Sequence, residues 1–351
     1  MTDRLTRILD HLAPLVAADT RNPPRKIDGD HALVRAVREA LPDGFDLDVS
    51  DLGGGSVILD ARRGEPDVLF NVHMDTVPAA DGWSREPHTL HRAEDRAYGL
   101  GTCDTKGAAA VLLTLAEDTD APMRLVLTTD EEAGQATCVR TFLETLADVR
   151  LAVIAEPTDA RAVTRHRGVC SATARFAGRS GHASQGGVSA VHQAARWIAD
   201  CMADDLAAET RLNFGRIEGG VKPNMVAAAC EVMFGFRTPP GEDHDDILRA
   251  VRGRAPEAEH ATRFVGPGLP VGTDAARDAQ DRAEAEARRL NLVTGDPVDF
   301  WTEASLFAAA EVPAVVLGAG NIAQAHAVDE WVSYDSLSRL YDAYERIVTD
   351  G

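Results

Sequence analysis

Apolar positions along the chain fall into two rhythms. Residues 2–18 and 30–41 carry Leu, Val and Ala at helical spacing. From residue 55 onward, short apolar runs alternate with helical stretches. Val68-Leu69-Phe70-Asn71-Val72 reads as a buried strand, Lys106 to Ala116 as a helix, and Met123 to Thr128 as a strand. A helix over 136–147 and a strand over Leu151 to Ala155 follow. Strands alternating with helices predict an α/β layer around a mostly parallel sheet, since parallel neighbours need helical crossovers.

The rhythm changes between 163 and 274. There the order reads strand (Gly168 to Phe176), helix (Ala190 to Met202), two strands (Leu212 to Ile217, Met225 to Arg237), helix (Asp245 to Arg252) and strand (Ala261 to Val265). This βαββαβ series is the ferredoxin-like order of a small α+β domain. Afterwards the α/β style resumes with a helix over Ala279 to Leu290, a strand over Val312 to Leu317 and a closing helix. The expected plan is one α/β domain in two segments, 1–162 and 275–351, interrupted by an insert at 163–274.

Composition narrows the function classes. The 351 residues hold 36 Lys+Arg against 56 Asp+Glu, a formal net charge of −20. Nucleic-acid binding and adhesion to anionic membranes both depend on basic surfaces, so neither is expected. Met1-Thr2-Asp3-Arg4-Leu5 has no apolar run like a signal-peptide core, and no stretch approaches a membrane span. Five scattered cysteines without a C-x-x-C pair predict reduced thiols in a cytoplasmic protein.

Candidate chemistry gathers where strands end. Strand 68–72 runs into His73-Met74-Asp75, whose first and third side chains share a face. The next strand ends are Asp130-Glu131-Glu132 and Glu156-Pro157-Thr158. Asp104 opens a helix in Gly99-Leu100-Gly101-Thr102-Cys103-Asp104, and His326 follows the last strand. Active sites of open α/β sheets lie beyond the carboxyl ends of the strands. A lone acid in a loop is ordinarily a solvated charge, and a lone His ordinarily structural. Glu131-Glu132, however, is the one Glu-Glu dipeptide, and adjacent acids repel unless a cation or a shared proton offsets the cost. Mixed imidazole and carboxylate ligands suit Zn²⁺ or a similar divalent ion. His73, Asp104, Glu132, Glu156 and His326 divide into two sites sharing Asp104, with Glu131 left over as general base and Asp75 behind His73.

These stretches, taken in order, resemble the M20 family of co-catalytic zinc aminoacylases and peptidases. Thr20-Arg21-Asn22-Pro23-Pro24, Asp299 to Ser305 and Asn321 to Trp331 are most similar to its branch of acetylornithine and acetylcitrulline deacetylases. The resemblance implies one ion on His73, Asp104 and Glu156 and another on Asp104, Glu132 and His326. These would be two divalent ions, Zn²⁺ first and Co²⁺ as a substitute. It implies a cis peptide at Asp104-Thr105 and assigns the insert to lid and dimerisation, hence a homodimer. It places His182 as oxyanion stabiliser, and Asn224 and Arg237 on the substrate α-carboxylate. The implied reaction is hydrolysis of N-acetyl-L-ornithine, with N-acetyl-L-citrulline as the alternative and desuccinylation of a diaminopimelate derivative further off. Glu303 is the candidate carboxyl for separating a cationic side chain from a neutral one. Trp301 departs from the Gly that many relatives carry before Thr302. A catalytically dead binding relative is the rival of another class, and it would lack a ligand or Glu131.

Overall fold

The computed structural model describes residues 2–147, 149–203 and 205–350; the outermost residues of the expected segments, 1 and 351, lie outside these. The chain forms two compact units. Unit 1 comprises Met1–Thr164, Asp278–Asp296 and Thr302–Gly351, and unit 2 comprises Arg165–Arg277 and Pro297–Trp301. The short return at Pro297–Trp301 has no periodic signal in the sequence.

Unit 1 is built on six strands: β1 (Asp46–Gly53), β2 (Ser56–Arg63), β3 (Val68–His73), β4 (Met123–Thr128), β5 (Leu151–Pro157) and β6 (Ala314–Gly318). Their order is β1-β2-β4-β3-β5-β6. Pairings β4/β3, β3/β5 and β5/β6 are parallel, and β1/β2 and β2/β4 antiparallel. The three strands β3, β5 and β6 are buried along their whole length, which is why they read as unbroken apolar runs. Strand β1 was not expected. It alternates acids with small apolar residues at the sheet edge and is mostly exposed, so periodicity alone does not separate it from a polar loop. The turn into β2 uses Gly53, Gly54 and Gly55 at φ +81°, +59° and +85°, a left-handed run that other residues resist.

Helices cover the parallel region. In α1 (Asp3–Ala17) Thr2 accepts the Leu5 N–H at the N-cap, and Leu5, Ile8, Leu9, Leu12, Leu15 and Val16 form its buried stripe. Helix α2 (Lys106–Asp118) is buried all round from Lys106 to Ala116, as its Ala and Leu content anticipates. Ser333 caps α3 (Tyr334–Thr349), whose Tyr344 stacks edge-on against Phe70 at 4.9 Å and donates its hydroxyl to the Leu317 carbonyl. Among the described residues no helix is long and apolar enough to cross a membrane.

Unit 2 carries a four-stranded antiparallel sheet in the order Asn213–Gly219, Ala229–Phe236, Val169–Ala177, Glu259–Gly266, with helices Ala190–Met202 and His244–Gly253 in the connections. This is the ferredoxin-like order. The single strand expected over Met225 to Arg237 is split: Met225–Val226 turns aside to pair with Gly181–His182, and the sheet strand starts at Ala229. Trp197 is the hub of this core. It is 2% exposed, meets the rings of Phe176, Phe214 and Phe234 at 5.2–5.5 Å, and donates its indole N–H to the Val251 carbonyl. Trp197→Ala removes that ring and leaves a cavity, so it should lower stability by about 3–5 kcal/mol, read as a fall in the urea midpoint followed by circular dichroism.

Candidate metal centre

Strand β3 delivers His73 from its last position, and β4 and β5 deliver Glu131, Glu132 and Glu156 at or just past their carboxyl ends. Asp104 precedes α2, and its peptide bond to Thr105 is cis. Thr105 ties this helix start to β3 by donating its hydroxyl to the His73 carbonyl at 2.6 Å. His326, in the left-handed region at φ +58°, comes from the loop after β6.

The side chains converge in two overlapping groups. His73, Asp104 and Glu156 offer ligand atoms all within 4.8 Å of one another, and so do Asp104, Glu132 and His326. Asp104 belongs to both through different oxygens: Oδ1 lies 3.0 Å from His73 Nε2, and Oδ2 lies 3.3 Å from His326 Nε2. His73 Nε2 is 3.7 Å from Glu156 Oε1, and His326 Nε2 is 2.8 Å from Glu132 Oε1. Asp104 thus offers one oxygen to each group, and a carboxylate so shared would fit a site for two cations.

Asp75 sits behind His73, though differently from the expected carboxylate–imidazole pair. His73 Nδ1 is closest to the Asp75 carbonyl, at 3.1 Å, with Asp75 Oδ1 at 3.6 Å. Asp75 Oδ2 instead accepts the Glu132 backbone N–H at 3.0 Å and the Asn22 amide at 3.3 Å. One residue therefore orients the imidazole of one group and the backbone under the carboxylate of the other. Two further supports had no role assigned from the sequence. Buried Asn22 also donates to the Thr129 carbonyl, and buried Asp130 accepts from Ser56 Oγ and the Cys138 N–H, fixing the turn that presents Glu131 and Glu132.

Electrostatics points to an unmet need for positive charge. Burial and the neighbouring carboxylates raise Glu131 and Glu156 well above the ordinary Glu value, and burial raises Glu132 as well. Burial alone would lower His73, but hydrogen bonds with Asp104 and Asp75 overcome it and raise that imidazole well above 6.5. His326 is raised too, by hydrogen bonds with Asp104 and Glu132. Asp104 is pushed up by burial yet held below the usual range by the two imidazoles. Imidazole and carboxylate donors together with this crowding fit a pair of divalent cations.

The remaining candidates lie elsewhere or face inward. Glu303 is 1% exposed; its Oε2 is 3.5 Å from Thr128 Oγ1, and Oε1 has no partner. His182, Asn224 and Arg237 all belong to unit 2. His182 is exposed, with Nδ1 2.7 Å from Ser184 Oγ. The Asn224 carbonyl accepts the Ala183 N–H, and Arg237 is half-buried with its N–H on the Thr210 carbonyl.

The chain is similar to known proteins. The family described as Peptidase family M20/M25/M40 matches residues 69–350. N-acetyl-L-citrulline deacetylase of Xanthomonas campestris pv. campestris is 45% identical, covering 99% of both chains. Acetylornithine deacetylase of Salmonella paratyphi B is 33% identical, covering 82% of both. The crystal structure of aminopeptidase PepT from Bacillus cereus superposes with a TM-score of 0.72 at 19% identity, over 98% of each chain, a likeness of fold.

In the metal-free protein the raised imidazoles hold protons that a cation must displace. Their pairing with the carboxylates stabilises the metal-free fold fully below about pH 6.5 and is lost as pH rises through their raised values. Divalent-cation affinity should therefore strengthen from pH 6 to pH 9 with proton release, measured by calorimetry in buffers of different ionisation enthalpy. A pH-independent affinity without proton release would contradict coordination by these imidazoles.

Proposed function

The chain belongs to peptidase family M20/M25/M40 and is a hydrolase acting on amide bonds, and from that premise we propose that it cleaves N-acetyl-L-citrulline to acetate and L-citrulline. The observation that carries the substrate is the 45% identity along the full length of both chains to a citrulline deacetylase, against 33% over 82% for an ornithine deacetylase. In the sequence reading acetylornithine stands first of the two; the stronger likeness reverses that order. Glu303, the candidate carboxyl for separating the two side chains, is buried, and burial raises it to about 8 in the metal-free protein.

Two divalent ions, Zn²⁺ in the first place, are assigned to the two groups sharing Asp104; when bound they supply Lewis acidity and an acidic water. Glu131 has no hydrogen-bonded imidazole of its own and is the carboxylate free to work as base. It takes a proton from the attacking water and hands it to the leaving α-amine. Burial raises its pKa, and bound cations would lower it again. His182 is assigned to the developing oxyanion, and Asn224 and Arg237 to the substrate α-carboxylate, which Arg can hold bidentately.

Dimerisation is assigned to unit 2. Its edge strand Asn213–Gly219 and the loop after it leave Ile217 and Val221 56% and 81% exposed, apolar surface a second copy would cover. The five cysteines are buried thiols, in keeping with a reducing cytoplasm.

Acetate release decides the substrate. kcat/KM for N-acetyl-L-citrulline should exceed that for N-acetyl-L-ornithine by about tenfold or more, and the opposite ratio would restore the ornithine reading. Glu131→Gln should lower kcat by about 10²–10⁴-fold while metal analysis still finds both ions. Near-normal kcat in that variant would remove Glu131 from the base role.

A further inference from the structure

Asp104 reaches two groups of ligands, so something must hold the loop that carries it. That loop, Gly99 to Asp104, passes through Gly101 at φ +82°, and its N–H groups need acceptors. Glu330 supplies them. Its side chain is buried, and its carboxylate accepts three backbone N–H bonds from this loop: Gly101 to Oε2 at 2.9 Å, and Cys103 and Asp104 to Oε1 at 2.8 and 3.0 Å. The Glu330 carbonyl takes a fourth, from Gly99, at 3.0 Å. Glu330 is itself positioned by the strand that follows it, where Trp331 pairs with Tyr98. It also stands four residues after His326, whose Nε2 faces Asp104.

We infer that Glu330 is a positioning residue for the candidate metal centre, clamping the loop that presents Asp104 and tying it to the segment that presents His326. The geometry is that of a backbone nest closed on the oxygens of the protein's own acid side chain. One acid thus fixes two ligands of the Asp104, Glu132 and His326 group relative to one another. Neither Gln nor Ala can replace it: an amide keeps one acceptor oxygen but turns an NH₂ toward the remaining N–H donors. The inference rests on the two-cation reading of the site.

The test is made on metal-free enzyme titrated with Co²⁺, reading stoichiometry, affinity and the visible spectrum. Wild type should bind two equivalents. E330Q and E330A should each lose about 10–100-fold in affinity for one equivalent, with a changed absorption band for that ion. In a D104N background E330Q should cost nothing further, because its effect passes through Asp104; a general weakening of the fold would still add. E330Q with wild-type affinities and spectrum overturns the clamp, whereas wild type that binds no Co²⁺ overturns the two-cation reading instead. Amide hydrogen exchange on metal-free wild type needs no variant, and it decides the case if E330Q does not fold. Protected Gly101, Cys103 and Asp104 amides are expected, and exchange at the rate of an open loop overturns the inference.

Discussion

Asp104, Glu131, Glu132 and Glu156 crowd together with two imidazoles for counter-charge, and the rest of unit 1 is arranged around that repulsion. Carboxylates this close and this buried oppose folding unless protons or cations join them. Parallel strands make the crowding feasible. Strands β3, β4 and β5 end side by side, so His73, Glu131, Glu132 and Glu156 arrive at one rim from distant stretches of chain, and loops add Asp104 and His326. The hydrophobic sheet and helix α2 below supply the stability against which the charged rim is held. That division, an apolar floor and a charged edge, lets a site costly in isolation persist in a folded protein.

Holding the rim falls to backbone hydrogen bonds more than to ion pairs. Asp75 takes the Glu132 N–H, Asp130 takes the Cys138 N–H, and Thr105 donates to the His73 carbonyl. Each support is a short polar side chain reading the main chain of a neighbouring segment, so ligand geometry is set by elements instead of by the ligands' own rotamers. Close packing of backbone has the same effect. A Cβ on Gly318 would stand 2.4 Å from the Glu156 carbonyl oxygen, and one on Gly107 would stand 2.3 Å from that of Thr102. Any side chain at either glycine would push a ligand-bearing segment out of place.

Buried parallel strands were legible in the sequence because both their faces are apolar. The ligands were legible because they sit at the ends of those runs. Other parts were harder to read. Strand β1 pairs only on one side and is rich in Asp, so its alternation looks like a loop. Asn22, Asp130 and Glu330 lie inside stretches that carry the family resemblance, but their supporting roles were hidden because much of their bonding is to backbone, where any residue type could stand at the other end. The direction of Glu303 was equally hidden, because a residue at the first turn of a short helix can face solvent or core with the same neighbours in sequence. Its lack of exposure and its contact with Thr128 resolve that direction. The Gly99-Leu100-Gly101 sequence, superficially a nucleotide-binding turn, is explained by the same geometry. Its glycines serve the left-handed loop before Asp104.

Trp301 shows how a large side chain is accommodated locally. Within unit 2 the indole stands edge-on to Phe264 at 5.5 Å, and a Cβ on Gly266 would lie 2.4 Å from its ring. The large residue at 301 and the absent side chain at 266 therefore fill one space between them. Neither can change size alone without a void or a clash. The segment that carries Trp301 is further pinned to unit 2 by Asp299, whose carboxylate pairs with Arg167 and Arg211 on both oxygens. Directly after it the chain re-enters unit 1 at Thr302 and buries Glu303. Packing at 266 and 301 thus fixes the Pro297–Trp301 return within unit 2 through a contact that has no polar chemistry at all.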